Sequence, residues 1–408
     1  MTTNDMSRLY SERSTAALAN TLVGTYRNPA TIKYRLGTGL PDSELFPIEE
    51  LKEYSARALD ERGKESLSYG LGGQGGFAGP LALREQLAKR TAGRHGREIS
   101  PDGIVLTSGA SHGLALTCNA YLSPGDAVFV EALSWPWASR YMTEAGAKIF
   151  HIPMDEDGMI VDRVEGIIEA ARAEGLRPKM VYTIPTFHIP TATCMPLARR
   201  EQLLEIVRKH DMVLLEDNLY ADLRYTGERV PSFLALDDTG RVVQQNGFSK
   251  TLSTGLRMGW VTGTPEAMLA IEIIRQDLGV NQWMAHMLAM WMADGKWEDH
   301  IGRLVASAGR KHQIALKALR QYCEPLIRFQ VPQGGIYYWC ELAPEVDLAT
   351  FNEQLVAEGV NVAPGERFSG EDDGRRFFRI AYLDVPDDAL DESIAMLGKC
   401  LSQSVKQR

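Results

Sequence analysis

The strongest constraint on how this chain folds is a series of short, almost wholly apolar segments set apart by helix-patterned stretches. GIVLTS (103–108), AVFVEA (127–132), KIFHIPM (148–154), KMVYTIP (179–185), MVLLED (212–217) and RVVQQNG (241–247) are rich in β-branched and apolar residues. Helical patterns sit between most of them, as where EQLLEIVRKHD runs directly into MVLLED. Strands that are apolar on both sides must be covered on both faces. Their alternation with helices predicts an α/β fold with a mainly parallel sheet between helix layers.

The N-terminal third supplies the helices that flank this series. ERSTAALANTL (12–22) reads as a short helix. FPIEELKEYSARALDERG has apolar residues at helical spacing and closes at Gly63, and PLALREQLAKRTAGR is helical from Pro80 onward. Beyond about residue 262 the pattern changes to long helical segments, and then to a mixed tail containing RFQVPQGGIYYWCEL and RRFFRIAYL. This predicts a second, smaller α+β lobe. We expect an N-terminal segment with part of the small domain over 1–64, a large domain over 65–295 and a C-terminal small domain over 296–408, packed without a flexible linker.

At 408 residues with 44% hydrophobic and 24% charged content, the chain has the make-up of a globular protein of more than one typical domain. Its net charge of −9, with both signs interspersed, argues against a nucleic-acid partner, which needs a clustered basic surface. The 5 cysteines are scattered and none falls in a C-x-x-C pair, so neither a disulfide framework nor a metal site is expected. MTTNDMSRLY is no secretory leader, and no stretch reaches the roughly 18 apolar residues that span a bilayer. A cytoplasmic location with no membrane partner follows. Gly70-Leu71-Gly72-Gly73-Gln74-Gly75 matches G-x-G-x-x-G, but KESLSY before it makes a poor strand, so a dinucleotide fingerprint is rejected in favour of a permissive loop.

Five stretches carry chemistry. They are TSGASHGLAL (107–116), VEALSWPWA (130–138), LLEDNLY (214–220), FSKTLSTGLRMGW (248–260) and FFRIAYL (377–383). In order and spacing they resemble the fold-type I pyridoxal 5′-phosphate (PLP) enzymes, the class I/II aminotransferases, and within them the aminoadipate/kynurenine aminotransferase branch. The resemblance runs from about Gly37 to Tyr382. It implies the PLP-dependent transferase fold, PLP as cofactor, an L-amino acid and a 2-oxo acid as substrates, and a homodimer with a shared active site.

Residue by residue, the resemblance makes Lys250 the lysine that carries the cofactor and Arg257 a phosphate ligand, with Ser249 adding a hydroxyl; a guanidinium suits a phosphate well. Asp217, at the end of a strand, would pair with the pyridine nitrogen, and Tyr220 would donate to the ring's phenolic oxygen. Gly109, Ala110 and Ser111 open a helix whose N-terminus can cradle phosphate. His112, beside them, is read as a locally satisfied helix residue. Trp135 fills the position of the aromatic that stacks on the ring. Trp137 is read as core or surface.

Arg379 interrupts an apolar strand, where an unpaired guanidinium is costly, and maps onto the arginine that takes the substrate carboxylate; a structural ion pair is the alternative. Tyr69 resembles the tyrosine that reaches the neighbouring subunit's phosphate, and Gly39, in GTGLPDSELFP, lies in the segment that closes over substrate. Tyr337 or Tyr338 shapes the pocket or simply packs the core.

Two positions depart from the family. Its N-P-T-G motif appears as Ile189-Pro190-Thr191-Ala192, which removes an amide donor to the phenolic oxygen; His188, adjacent, is a candidate to compensate. Gly247 replaces a serine or threonine that binds the phosphate. The sequence therefore points to amino-group transfer, with a lyase, replacement or carbon–carbon bond-forming reaction on the same anchors as the alternative. A non-catalytic effector module is a remote third reading, since the segment before Gly37 is short for an added DNA-binding domain.

Overall fold

The computed structural model describes residues 6–12, 14–15, 32–70, 76–369 and 374–406. Most of the helix expected over 12–22, and Leu71–Gly75 of the glycine-rich stretch, lie outside them.

The apolar segments form one seven-stranded sheet. Its order is Ile104–Thr107, Gly259–Thr262, Val242–Gly247, Val213–Asp217, Arg177–Thr183, Asp126–Glu131, Lys148–Ile152. Alternate side chains serve opposite faces, as strand geometry requires. Val105, Val128, Val130, Tyr182, Leu215, Val243 and Val261 join one core, which includes the helix Ala110–Tyr121. On the other face, Ala127, Phe129, Val181 and Leu214 pack with the helices Val164–Ala173 and Leu197–Lys209. Ile104, Leu106 and Trp260 pack with the helices Ile48–Ser66, Leu81–His95 and Gln282–Ala293.

Six of the seven strands were legible in the sequence; Gly259–Thr262 was not. It runs antiparallel to both neighbours, with Gly259 opposite Gly247 on one side and Thr107 on the other. The physical reason is the length of the connection. The loop 248–258 is too short for the crossover that a parallel return needs, so the chain doubles back. That turn-back carries Lys250 and Arg257. Another correction concerns the helix expected to close at Gly63: it continues to Ser66 across a non-helical Arg62 (φ −137°).

The C-terminal part builds a four-stranded sheet in the order Ile327–Phe329, Tyr337–Leu342, Phe377–Ala381, Ala363–Pro364, all pairs antiparallel. It packs under the helices Leu348–Glu358 and Asp387–Gln403. Tyr34–Arg35 pairs in parallel with Val360–Asn361, which ties the N-terminal segment to this part of the molecule. The helix Lys296–Ala318 staples the whole together. Trp297 and Ile301 at its start lie in the large-sheet core, and Ala315 and Ala318 at its end lie in the small-sheet core. Among the described residues no helix is long and apolar enough to cross a membrane, no His/Cys/Asp/Glu group is arranged to hold a metal, and the cysteines are unpaired.

Candidate active site

A cavity of about 540 Å³ opens at the C-terminal ends of the parallel strands, between the large sheet and the small one. Its walls include Gly39, Ala110, Ser111, Trp135, Asp217, Tyr220, Ser249, Lys250, Arg257 and Arg379, so residues far apart in the chain meet at one place.

Asp217 is the last residue of its strand and only 5% exposed. Oδ2 accepts from the Tyr182 hydroxyl at 3.0 Å and from Gln245 Nε2 at 3.4 Å, while Oδ1 is buried with no partner. Burial pushes this carboxyl up to about 7, against the lowering effect of the Tyr182 bond. A buried, half-satisfied carboxylate is costly unless a positive or donating group completes it.

Lys250 reaches in from the turn-back loop, and its Nζ donates to the Gly39 carbonyl at 2.7 Å. Burial holds its amine below the ordinary lysine range; Arg379 and Arg257 push the same way, against Tyr337 and Asp217. Arg379 is 8% exposed. Nη2 donates to the Gly37 carbonyl at 2.7 Å, Nε has no partner, and the guanidinium lies 4.2 Å from the Tyr337 ring centre. Among the described residues it forms no ion pair. Two backbone carbonyls of one segment, 37–39, thus hold the Arg379 and Lys250 side chains.

Arg257 adopts a left-handed backbone (φ 49°) that turns its guanidinium onto the helix start at Gly109. The fit is close on both sides. A Cβ at Gly109 would lie 2.6 Å from Arg257 Nη2, and one at Gly259 would lie 2.7 Å from Ala110 N. Only glycine lets the arginine and the N-terminus of Ala110–Tyr121 form one cradle.

Several sequence readings resolve here. His112 is satisfied locally: its Nδ1 accepts from Ser108 N at 3.1 Å. Ile189 lies on the cavity wall, an apolar side chain where the family has an amide. His188 does not compensate. It is off the wall, its Nδ1 pairs with Thr191 Oγ1 at 2.9 Å, and its Nε2 lies 3.9 Å from Glu131. Tyr69 stands apart from the cavity, 73% exposed.

The open choice between Tyr337 and Tyr338 is settled by register. Trp339 faces Arg379 across the sheet, so Tyr337 shares the arginine's face, while Tyr338 turns into the core onto His312. Tyr182, which holds Asp217, escaped notice because its segment reads as uniform core.

An aldehyde cofactor needs an amine to carry it, a phosphate cradle at one end and an anion at its ring nitrogen. The unpartnered Asp217 Oδ1, the half-buried Lys250 amine and the Gly109–Arg257 cradle meet those needs around one cavity. The site is built as that of a PLP-dependent enzyme acting on amino acids.

The comparisons with known proteins agree. The model of the aminotransferase class I and II family matches residues 31–397, and the chain belongs to that family. It is 32% identical over 374 residues to "Aromatic-amino-acid aminotransferase 1" of Thermococcus litoralis, covering 91% of this chain and 88% of that one. It is 29% identical to the "2-aminoadipate transaminase" of Thermus thermophilus, covering 89% of this chain and 88% of the relative. Among solved structures, the kynurenine aminotransferase of Pyrococcus horikoshii superposes with a TM-score of 0.89 at 29% identity, covering 99% of each chain. The protein is a fold-type I, PLP-dependent aminotransferase acting on an amino acid and a 2-oxo acid.

Proposed function

We propose that Lys250 would hold the cofactor through its amine and would serve as the base that takes the proton from the substrate's α-carbon. The desolvation that lowers its amine's proton affinity supports this role, since a base must be able to lose its proton before it takes another. When bound, PLP supplies an electron sink for the pair left at the α-carbon. Asp217 would meet the ring nitrogen through Oδ1, while Tyr182 and Gln245 fix its other oxygen. Gly109, Ala110, Ser111, Ser249 and Arg257 would hold the phosphate, and Trp135 would stack on the ring. Tyr220 would donate to the phenolic oxygen. Arg379 would take the substrate carboxylate in place of the Gly37 carbonyl, and Gly39 lets its segment pass close to Tyr337 beside it. The observation that carries this reading is the buried, unpartnered Asp217 Oδ1 sharing one cavity with the Lys250 amine.

Leu40, Tyr337 and Phe368 on the same wall favour an amino acid with a large apolar or aromatic side chain. The relatives named for aromatic amino acids and for kynurenine support that choice. The exposed Leu67, Tyr69, Leu278 and Trp283 support a homodimer in which Tyr69 serves the partner's phosphate site. We place the enzyme in the cytoplasm, with the small domain formed by 296–408 and part of 1–64 and the large one by 65–295.

Borohydride treatment of the holoenzyme tests the anchor: the cofactor's mass should appear on the peptide containing Lys250. Incubation with phenylalanine alone, without an oxo acid, should accumulate the aminated cofactor in stoichiometric amount. Product formation with the cofactor always recovered as aldehyde would exclude amino-group transfer.

A further inference from the structure

Tyr337 meets Tyr220, Arg379 and the Gly39 segment at the cavity. Its hydroxyl lies 2.8 Å from the Tyr220 hydroxyl, with ring centres 5.6 Å apart and 64° between the planes. Its ring carries the Arg379 guanidinium at 4.2 Å. A Cβ at Gly39 would stand 2.0 Å from its hydroxyl oxygen, so the segment that holds Lys250 can pass only as glycine. Both phenols are 2% exposed.

A hydroxyl has one proton to give. If Tyr220 spends its proton on the cavity, the bond between the two tyrosines must run from Tyr337 to Tyr220. Such a chain polarises its members, so the outer donor strengthens the inner one. Ile189, on the same wall, has no proton to offer.

We propose that Tyr337 is a positioning residue for the reaction: by donating to Tyr220 it commits the Tyr220 proton to the cofactor's phenolic oxygen and offsets the donor that Ile189 cannot supply. This rests on the reading that Tyr220 meets that oxygen. Lys250, Asp217 and Arg379 are the charged groups facing the pair, with Arg257 beyond the lysine. None is altered in the variants below, so their influence is common to all of them.

The test is the pH midpoint of the visible absorbance change of the substrate-free holoenzyme, measured for the wild type, Y337F, Y220F, the double variant and Y338F. Donors to the phenolic oxygen favour the deprotonated chromophore, so losing one raises the midpoint. Y337F should raise it by roughly half to one pH unit, the scale of one neutral hydrogen bond. It should lower kcat several-fold with little change in KM. The double variant should go no further than Y220F, because Tyr337 acts only through Tyr220. Y338F, whose hydroxyl serves His312, should leave the midpoint in place and controls for disturbance of the strand. If Y220F moves the midpoint and Y337F does not, or if the two shifts add, the inference is overturned while the role of Tyr220 stands. A rise in KM alone for Y337F would make it a substrate contact and overturns it too. If neither variant moves the midpoint, the Tyr220 reading itself fails and takes the inference with it.

Discussion

Replacing Lys311 with methionine should destabilise the enzyme and loosen its substrate site at the same time. Lys311 is 1% exposed in the middle of the helix Lys296–Ala318. Its Nζ lies 3.0 Å from Asp42 Oδ2 and donates to the Leu383 carbonyl at 2.8 Å. Asp42 is 3% exposed and also accepts from the Ser307 hydroxyl at 2.7 Å and from Glu44 N at 3.3 Å. Removing one partner of a buried pair strands the other charge, at a cost of about 3–5 kcal/mol. Because Ser307 and Glu44 still serve Asp42, the lower end applies, about 3 kcal/mol, or roughly a hundredfold in the equilibrium between folded and unfolded forms.

The same pair anchors the segment whose Gly37 and Gly39 carbonyls hold Arg379 and Lys250. The amino-acid KM should therefore rise while the cofactor stays bound. Urea titration of K311M, D42N and the double variant measures the coupling, and steady-state kinetics measures KM. A K311M enzyme within about 1 kcal/mol of the wild type, or a double variant no more stable than K311M alone, would refute the reasoning.

Other substitutions probe the remaining parts. Lys250→Ala should cut turnover by more than about 10³-fold and abolish borohydride labelling of its peptide, read by mass spectrometry. Arg379→Lys should raise the amino-acid KM by roughly 10- to 100-fold with a smaller effect on kcat, since a two-pronged charged contact becomes a single one. Gly247→Ser should tighten cofactor binding a few-fold in equilibrium titration, because a Cβ there meets nothing nearer than 3.5 Å and its hydroxyl stands beside the phosphate cradle. Without cofactor, Asp217 sits at about 7 in the folded protein against roughly 4 unfolded. The folded state then binds the extra proton, so its stability should fall as pH rises from about 4 through 7. Urea midpoints across that range should show the fall in the wild type and a flatter line in D217N; identical slopes would count against it.

Much of this was legible in the chain because the chemistry demands residue types that are conspicuous out of place. Arg379 interrupts an apolar strand, while Asp217 and Lys250 were picked out by the resemblance of their segments to the family, and the structure brings all three to one cavity. What escaped depends on pairing between distant segments. Gly259–Thr262 is only 4 residues long and follows its neighbour too closely to look like another repeat of the alternation. Tyr182 hides within a strand whose buried stretch is otherwise ordinary core. The choice between Tyr337 and Tyr338 needed the register against Phe377–Ala381, because a shift of one residue would exchange them. Whether His188 could compensate for Ile189 was likewise open in the sequence, because adjacency does not fix which way a ring turns; its Nδ1 faces Thr191.

The doubling back of the chain between Gly247 and Gly259 makes the spacing of two grips a covalent matter. Lys250 and Arg257 leave the same short span, and both ends of that span are pinned by pairing across neighbouring strands. With Lys250 and Arg257 in the roles proposed above, the distance between the aldehyde end and the phosphate end of the bound molecule would be gauged by one stretch of backbone. A single residue inserted between 250 and 257 would spoil the measure, even in an enzyme that otherwise folds.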